Sequence, residues 1–498
     1  MRRRDLIATG AAAAGLGLLP SRASAAWGDA PSTALLDLLP PGERAERCLE
    51  VFLYGGMPSF ESFYVVPEYG GPDNANAALR NTQWYNFTDD HAGVFDDCNF
   101  GSSATWLTPF ASDSLGYTVN LGPMVNALKS RPDILARLRV VVLSHEFEPH
   151  EAAIPYMMTG HRLGNPRMTG LGAHIQRYWK DRDTTGRVIP WSYVFTPVAD
   201  DSAFNTHTAA AVGMQPGSSR PLKLTTAAQM DLSTLLGRLN IEDDDARVNA
   251  YLTYLADKEM ARYADPVSGA LLRSRVLGDH DFSMRSLVNA RSLQEVLTPS
   301  LWATSQGTVC GADGTDVSAM ALDAAITLLT HPTAAAKYVN VIDGGFPGYG
   351  GLAYDSHSSH ILNHSRNLHH VLRTLTARIN EPGEGDPTKL DLDDTLILLN
   401  AEFGRTPYRD GGETNHFPHG MVAVMIGGPV QAGVTGALGP DGYVADGLNP
   451  SEYRAAALAA LGIYPFSIES FAVGDMQTAS NELEALQYLN ESVLGRAP

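Results

Sequence analysis

Five short apolar runs, β-branched or leucine-rich and closed by turn or polar residues, constrain this chain more than any other feature. They are CLEVFLYGG (48–56), RVVVLSHE (139–146), KYVNVIDGG (337–345), DTLILLNAEFG (394–404) and HGMVAVMIGG (419–428). Between them lie helical patterns, among them MVNALKSRPDILARL, GLGAHIQRYWKD and SSHILNHSRNLHHVLRTLTARI. Strands alternating with helices predict an α/β fold with a mainly parallel central sheet and helices on both faces. In such sheets functional groups collect where the strands end. The region from about 225 to 300 is charged, helix-forming and strand-poor, which predicts a helical insertion or cap. A chain of 498 residues then reads as one domain over 26–498 that carries this insertion.

The first 25 residues read as an export signal. They have a basic start, a weakly apolar Ala/Gly/Leu stretch and the small-residue pattern Ala23-Ser24-Ala25 expected before a cleavage site. Within them Arg3-Arg4-Asp5-Leu6-Ile7 resembles a twin-arginine signal, so the export machinery of that route is an expected partner and the periplasm, or secretion, the expected destination. Loss of the segment takes away four arginines and one aspartate and moves the formal charge from −19 to about −22. Such a surface repels polyanions, which argues against nucleic acid as a partner. No later apolar run approaches the length of a membrane span. Cys48, Cys98 and Cys310 are too few and too far apart for a cysteine metal site, although one disulfide is open to them.

The chemistry concentrates in a few stretches. YDSHSSHILNH (354–364) holds one carboxylate and three imidazoles, and NHFPHG adds His416 and His419. Neutral imidazoles with a carboxylate form the donor set a divalent metal prefers. A helix starting near Ser358 would put His357, His360 and His364 on one face, with Asp355 before its first turn. Ile361, Leu368, Val371, Leu372, Leu375 and Ile379 would form the face that packs on the sheet. His364, His369 and His370 read more simply as surface residues. In NAEFGRTP, Glu402 follows a strand and can ligate a metal or act as a base, while the planar fork of Arg405 can hold an anionic oxygen. GGMPSFESF offers Glu61 after glycines that permit close backbone approach. SHEFEPHEAAIPYMMTGHR offers His145, Glu146, Glu148, His150 and Arg162.

Taken in order, these segments resemble the twin-arginine-exported bacterial family known as domain of unknown function 1501, which belongs with the alkaline phosphatase and sulfatase superfamily. GGMPSFESF, HEAAIPYMMTG, NPRMTGLGAHIQRY, YDSH, EFGRTP and NHFPHG each look like a segment of that family. The resemblance implies an alkaline-phosphatase-like sheet with metal at its strand ends. Asp355, His357 or His360, and His416 or His419 would ligate one ion, and Glu402 with Glu61 of the first loop would serve a second. Two departures stand out. Gly55-Gly56 occupies the place where the superfamily's first strand ends in a ligating aspartate. Ten residues before Gly160, where the superfamily carries its Ser, Thr or modified Cys nucleophile, stands His150.

The expected function is therefore hydrolysis of a small-molecule or saccharide ester, such as a phosphate or sulfate ester, by metal-activated water. Glu402, His150 as proton donor and Arg405 would be the catalytic groups, and zinc, manganese or calcium the metal, with iron or copper as alternatives. A non-catalytic metal- or ligand-binding protein, or redox chemistry at a histidine-rich centre, are the rival readings.

Overall fold

A computed structural model describes residues 27–31, 38–82, 84–85, 92–165, 168–182, 191–196, 213, 215, 221–225, 245–262, 296–346, 354–410, 413–467 and 469–496. The export signal lies outside the described residues. So does most of the expected insertion, of which one helix, Asp245–Arg262, is described.

Eight strands form the central sheet: β1 (Arg47–Leu53), β2 (Leu138–Leu143), β3 (Ser192–Thr196), β4 (Leu222–Thr225), β5 (Tyr338–Asp343), β6 (Thr395–Asn400), β7 (Met421–Gly427) and β8 (Gly433–Thr435). Their order is β8-β2-β7-β6-β1-β5-β3-β4. All five apolar runs are strands of this sheet. β3, β4 and β8 are short, and their sequences carry no comparable apolar run. The sheet is mainly parallel, as expected, but β7 runs against both its neighbours, β6 and β2. An antiparallel neighbour needs no crossover helix, and the link from β6 to β7 is a loop braced by the paired two-residue strands Gly404–Arg405 and His416–Phe417.

Alternate residues of each strand enter different cores because side chains alternate across a strand. Leu49, Val51 and Leu53 of β1 join one cluster, whereas Cys48 and Phe52 join the other. The remaining helices divide the same way. α1 (His150–Thr159), α2 (Leu171–Lys180) and α5 (Pro450–Ala460) supply the second cluster, whereas α3 (Val317–Leu329) and α4 (His360–Ala377) supply the first. With about 1.5–3 kcal/mol from each fully buried large aliphatic side chain, this double burial holds the sheet. All six residues expected to form the packing face of α4, from Ile361 to Ile379, lie in that first cluster. α4 begins at His360, later than expected, so His357 precedes the helix and shares no helical face with His360 and His364. His364 and His370 are buried, contrary to the surface reading, because their helix is covered by other elements; His370 Nε2 lies 2.8 Å from Asp316 Oδ1.

Glu50 is a charged residue inside the second core. Its carboxylate meets Arg454 of α5 at 2.6 Å, and the Tyr338 hydroxyl and Asn400 amide donate to it at 2.5 and 3.0 Å. A disulfide joins Cys98 to Cys310, and Cys48 is free and buried. Among the described residues no helix is long and apolar enough to cross a membrane.

Candidate metal centre

Reversal of β7 decides where the site forms. Because β7 runs backwards, the loop preceding it opens at the same sheet edge as the carboxyl ends of β1, β2 and β6. The Gly55-Gly56 turn after β1 has φ of 108° and 106°, and a Cβ on Gly55 would lie 2.0 Å from the Asp355 backbone nitrogen. Only glycine fits there. Tyr354 N–H donates to Tyr54 O at 3.1 Å, which seats Asp355 beside that turn. Arg405 and His416 are cross-strand partners in the small hairpin, so both reach Asp355 from one side.

His150, Asp355 and His416 each offer a ligand atom, and these atoms lie within 4.8 Å of one another. His150 Nε2 is 3.2 Å from Asp355 Oδ2, and His416 Nε2 is 2.9 Å from Asp355 Oδ1. The other ring nitrogens are held from behind. His150 Nδ1 bonds Glu402 Oε1 at 2.8 Å, and His416 Nδ1–H donates to the Glu148 carbonyl at 2.9 Å. A carbonyl cannot donate, so a neutral His416 carries its N–H at Nδ1 and turns the bare lone pair of Nε2 toward a carboxylate. Two acceptors at that distance need a positive centre between them, a proton or a metal ion. Outer-shell bonds of this kind fix the tautomer and aim of metal-ligating histidines. The rings are also wedged, His150 stacking on Tyr54 at 5.2 Å and His416 on Phe403 at 4.1 Å.

Burial works against charge on Asp355, but hydrogen bonds from His150 and His416 and the nearby Arg405 charge outweigh it and hold the carboxyl well below the usual range. Burial likewise works against the His150 imidazolium, yet bonds to Asp355 and Glu402 raise its pKa to about 10. A proton and a divalent ion would thus compete for the same donor atoms.

The expected site residues separate into distinct positions. Asp355 and His416 are in the ligand group. His150, expected to donate a proton, is a ligand candidate in the same group. Glu402 stands behind His150 instead of joining the group; its Oε1 also accepts from Gly55 N–H at 2.8 Å. Arg405, expected to grip an anion, has a fully buried side chain. Its Nη2 donates to Asp355 Oδ1 at 2.6 Å and to Tyr354 O at 2.8 Å, so it braces the carboxylate. His357 lies at the mouth, 46% exposed, with Nε2 3.2 Å from Asp355 Oδ1.

Glu61 and His360 pair with each other at 3.3 Å, both buried, outside the three-residue group. Burial raises the Glu61 carboxyl well above its ordinary value. His419 is at the rim, 4.0 Å from Glu148 Oε1 and stacked on Tyr443. His150 did carry a signal of its own in the sequence. It opens the segment HEAAIPYMMTG, ten residues before Gly160. Nothing local marked the Glu148 carbonyl or the Gly55 N–H, because backbone groups leave no trace in residue type.

No curated protein and no solved structure matches the chain. A family model described as "Protein of unknown function (DUF1501)" matches residues 45–481, a span that contains the three ligand candidates and the residues that brace them. On that match over most of its length, the chain belongs to the DUF1501 family.

Proposed function

We propose that the chain is a metal-dependent hydrolase of a small-molecule or saccharide ester, with phosphate and sulfate esters as the leading classes. One observation carries the reading: two imidazoles, each held at Nδ1, turn Nε2 toward a single buried carboxylate. Two imidazoles and a carboxylate suit zinc or manganese and argue against calcium, which takes oxygen ligands. A divalent ion held there would supply a nucleophile at neutral pH by lowering the pKa of water, which suits a chain with histidine at the superfamily's nucleophile position. His150, Asp355 and His416 hold and orient the centre. Arg405 braces the Asp355 carboxylate from behind. His357, exposed at the mouth, is placed to donate a proton from Nε2 to the leaving oxygen.

Placement at the ends of a mainly parallel sheet is what membership of the alkaline phosphatase and sulfatase superfamily calls for. The residue pattern of the first 25 positions supports twin-arginine export to the periplasm or beyond. The Cys98–Cys310 bond suits an oxidising compartment.

The test is elemental analysis of untagged protein, followed by turnover of aryl phosphates and aryl sulfates before and after chelation. Zinc or manganese near one per chain, with turnover lost on chelation and restored by that ion, is the expected result. Metal-free protein, or turnover indifferent to chelator, overturns the reading. A second reading rests on the same donor set, since two histidines and one carboxylate also bind non-haem iron in redox enzymes. Iron in the purified protein with no ester turnover would favour it, and retained zinc without turnover would favour a binding protein.

A further inference from the structure

We infer that His145 is a positioning residue for this centre: it never reaches the ligand cluster, but holds the backbone of Glu402, which in turn holds His150. The inference rests on the metal reading only for its affinity readout. His145 follows β2, and in the sheet β7 lies between β2 and β6. Its side chain therefore spans the start of β7 to reach the segment after β6.

Every polar group of His145 other than its carbonyl has a defined partner there. Its backbone N–H donates to Pro418 O at 3.0 Å, two residues beyond His416. Phe147 N–H donates to Nδ1 at 3.1 Å, which makes Nδ1 an acceptor and places the ring proton on Nε2. That Nε2–H donates to the Glu402 carbonyl at 2.6 Å. The tautomer is thus set by two backbone groups, without appeal to titration. The ring is buried and flanked edge-on by Tyr156 at 5.7 Å, with Phe147 beyond at 6.1 Å, so it has little room to turn.

Glu402 is consequently held at both ends. Its carbonyl is fixed by His145, and its Oε1 lies 2.8 Å from Gly55 N and from His150 Nδ1. Release of the carbonyl frees the short turn after β6 to move, and the carboxylate behind His150 moves with it. The His145 ring thereby ties the segment following β2 to that following β6, while its backbone N–H holds the segment preceding β7; these segments carry or support two of the three ligand candidates. Outer partners of metal-binding histidines matter on this scale, commonly 10–100-fold in affinity.

Three variants separate this role from simple packing. His145→Phe keeps the ring volume but can neither accept from Phe147 nor donate to Glu402. His145→Gln places an amide N–H near the former Nε2, and His145→Asn places its polar atoms near the former Nδ1. Affinities for Zn2+ and Mn2+, measured by chelator competition, should fall about 10–100-fold in His145→Phe and His145→Asn and be largely restored in His145→Gln. Crystals of chelated His145→Phe should show the Glu402–His150 bond broken. Unchanged affinity with that bond intact in His145→Phe overturns the inference. So does an equal loss in all three variants that tracks their unfolding midpoints in chelator, since that marks bulk packing. If the wild-type protein binds neither ion, the metal reading fails by itself, and the state of the Glu402–His150 bond in the chelated variant still decides the role of His145.

Discussion

Replacement of Asp355 by asparagine separates the two duties of its carboxylate, which are to neutralise buried cations and to ligate metal. Asp355 faces Arg405 Nη2 at 2.6 Å, His416 Nε2 at 2.9 Å and His150 Nε2 at 3.2 Å. The Arg405 side chain is 0% exposed, so loss of the anion leaves a buried guanidinium without its closest partner. Breaking such a pair costs about 3–5 kcal/mol, and the oxygen retained by asparagine recovers about 1 kcal/mol of hydrogen bonding, which leaves a loss of about 2–4 kcal/mol. Metal adds a second difference. At a free metal concentration of one hundred times the wild-type Kd, binding stabilises the native protein by about 2.7 kcal/mol, and a hundredfold weaker site reduces this to about 0.4 kcal/mol. Urea denaturation followed by tryptophan fluorescence, in chelator and in excess Zn2+, reads both quantities. Equal midpoints for Asp355→Asn and wild type in chelator would refute the buried-charge argument. An equal rise with Zn2+ in both proteins would refute the ligand assignment.

Three further outcomes are expected. In chelator, His150 has a raised pKa of about 10 against about 6.5 when unfolded, so its contribution is complete below about pH 6.5 and fades as pH rises through about 10. Asp355, held low, contributes above about pH 4 and loses its contribution as pH falls through its folded value. Urea midpoints of chelated protein should therefore fall between pH 6.5 and 10, and those of Zn2+-loaded protein should not; a flat profile in chelator contradicts the assignment. Arg454→Met should destabilise by about 3–5 kcal/mol because it strands Glu50, whereas the double variant with Glu50→Gln should lose clearly less, a difference a double-mutant cycle in urea measures directly. Non-reducing peptide mapping should recover Cys98 linked to Cys310, and iodoacetamide should leave buried Cys48 unmodified until the protein unfolds. Closing a loop of 212 residues implies a destabilisation of up to about 5 kcal/mol on reduction by the chain-entropy model.

Much of the scaffold was legible because its signals are local. The five apolar runs are strands since a β-branched run of that length, buried on both faces, has few other solutions, and the face of α4 from Ile361 to Ile379 follows from helical spacing alone. Asp355 and His416 were legible as ligand candidates by residue type in a dense polar stretch, and the structure brings both into a group that could hold a metal ion. Other assignments moved once the chain was folded. His357 precedes α4 instead of riding on it, Arg405 is buried against the Asp355 carboxylate, and Glu61 and His360 form a buried pair of their own.

Residue type and spacing, present in the sequence by itself, determined that this chain builds a mainly parallel sheet between two helical layers and that acidic and imidazole groups gather near its strand ends. Only the tertiary structure decided which of those groups meet. The direction of β7 brings His416 to the edge where Asp355 lies, and the start of α1 brings His150 there from more than two hundred residues away in the chain. Strand direction and order are set by packing between distant segments, and ligand geometry depends on shifts of an ångström or so. A local pattern of side chains can name the donors, but it cannot aim them.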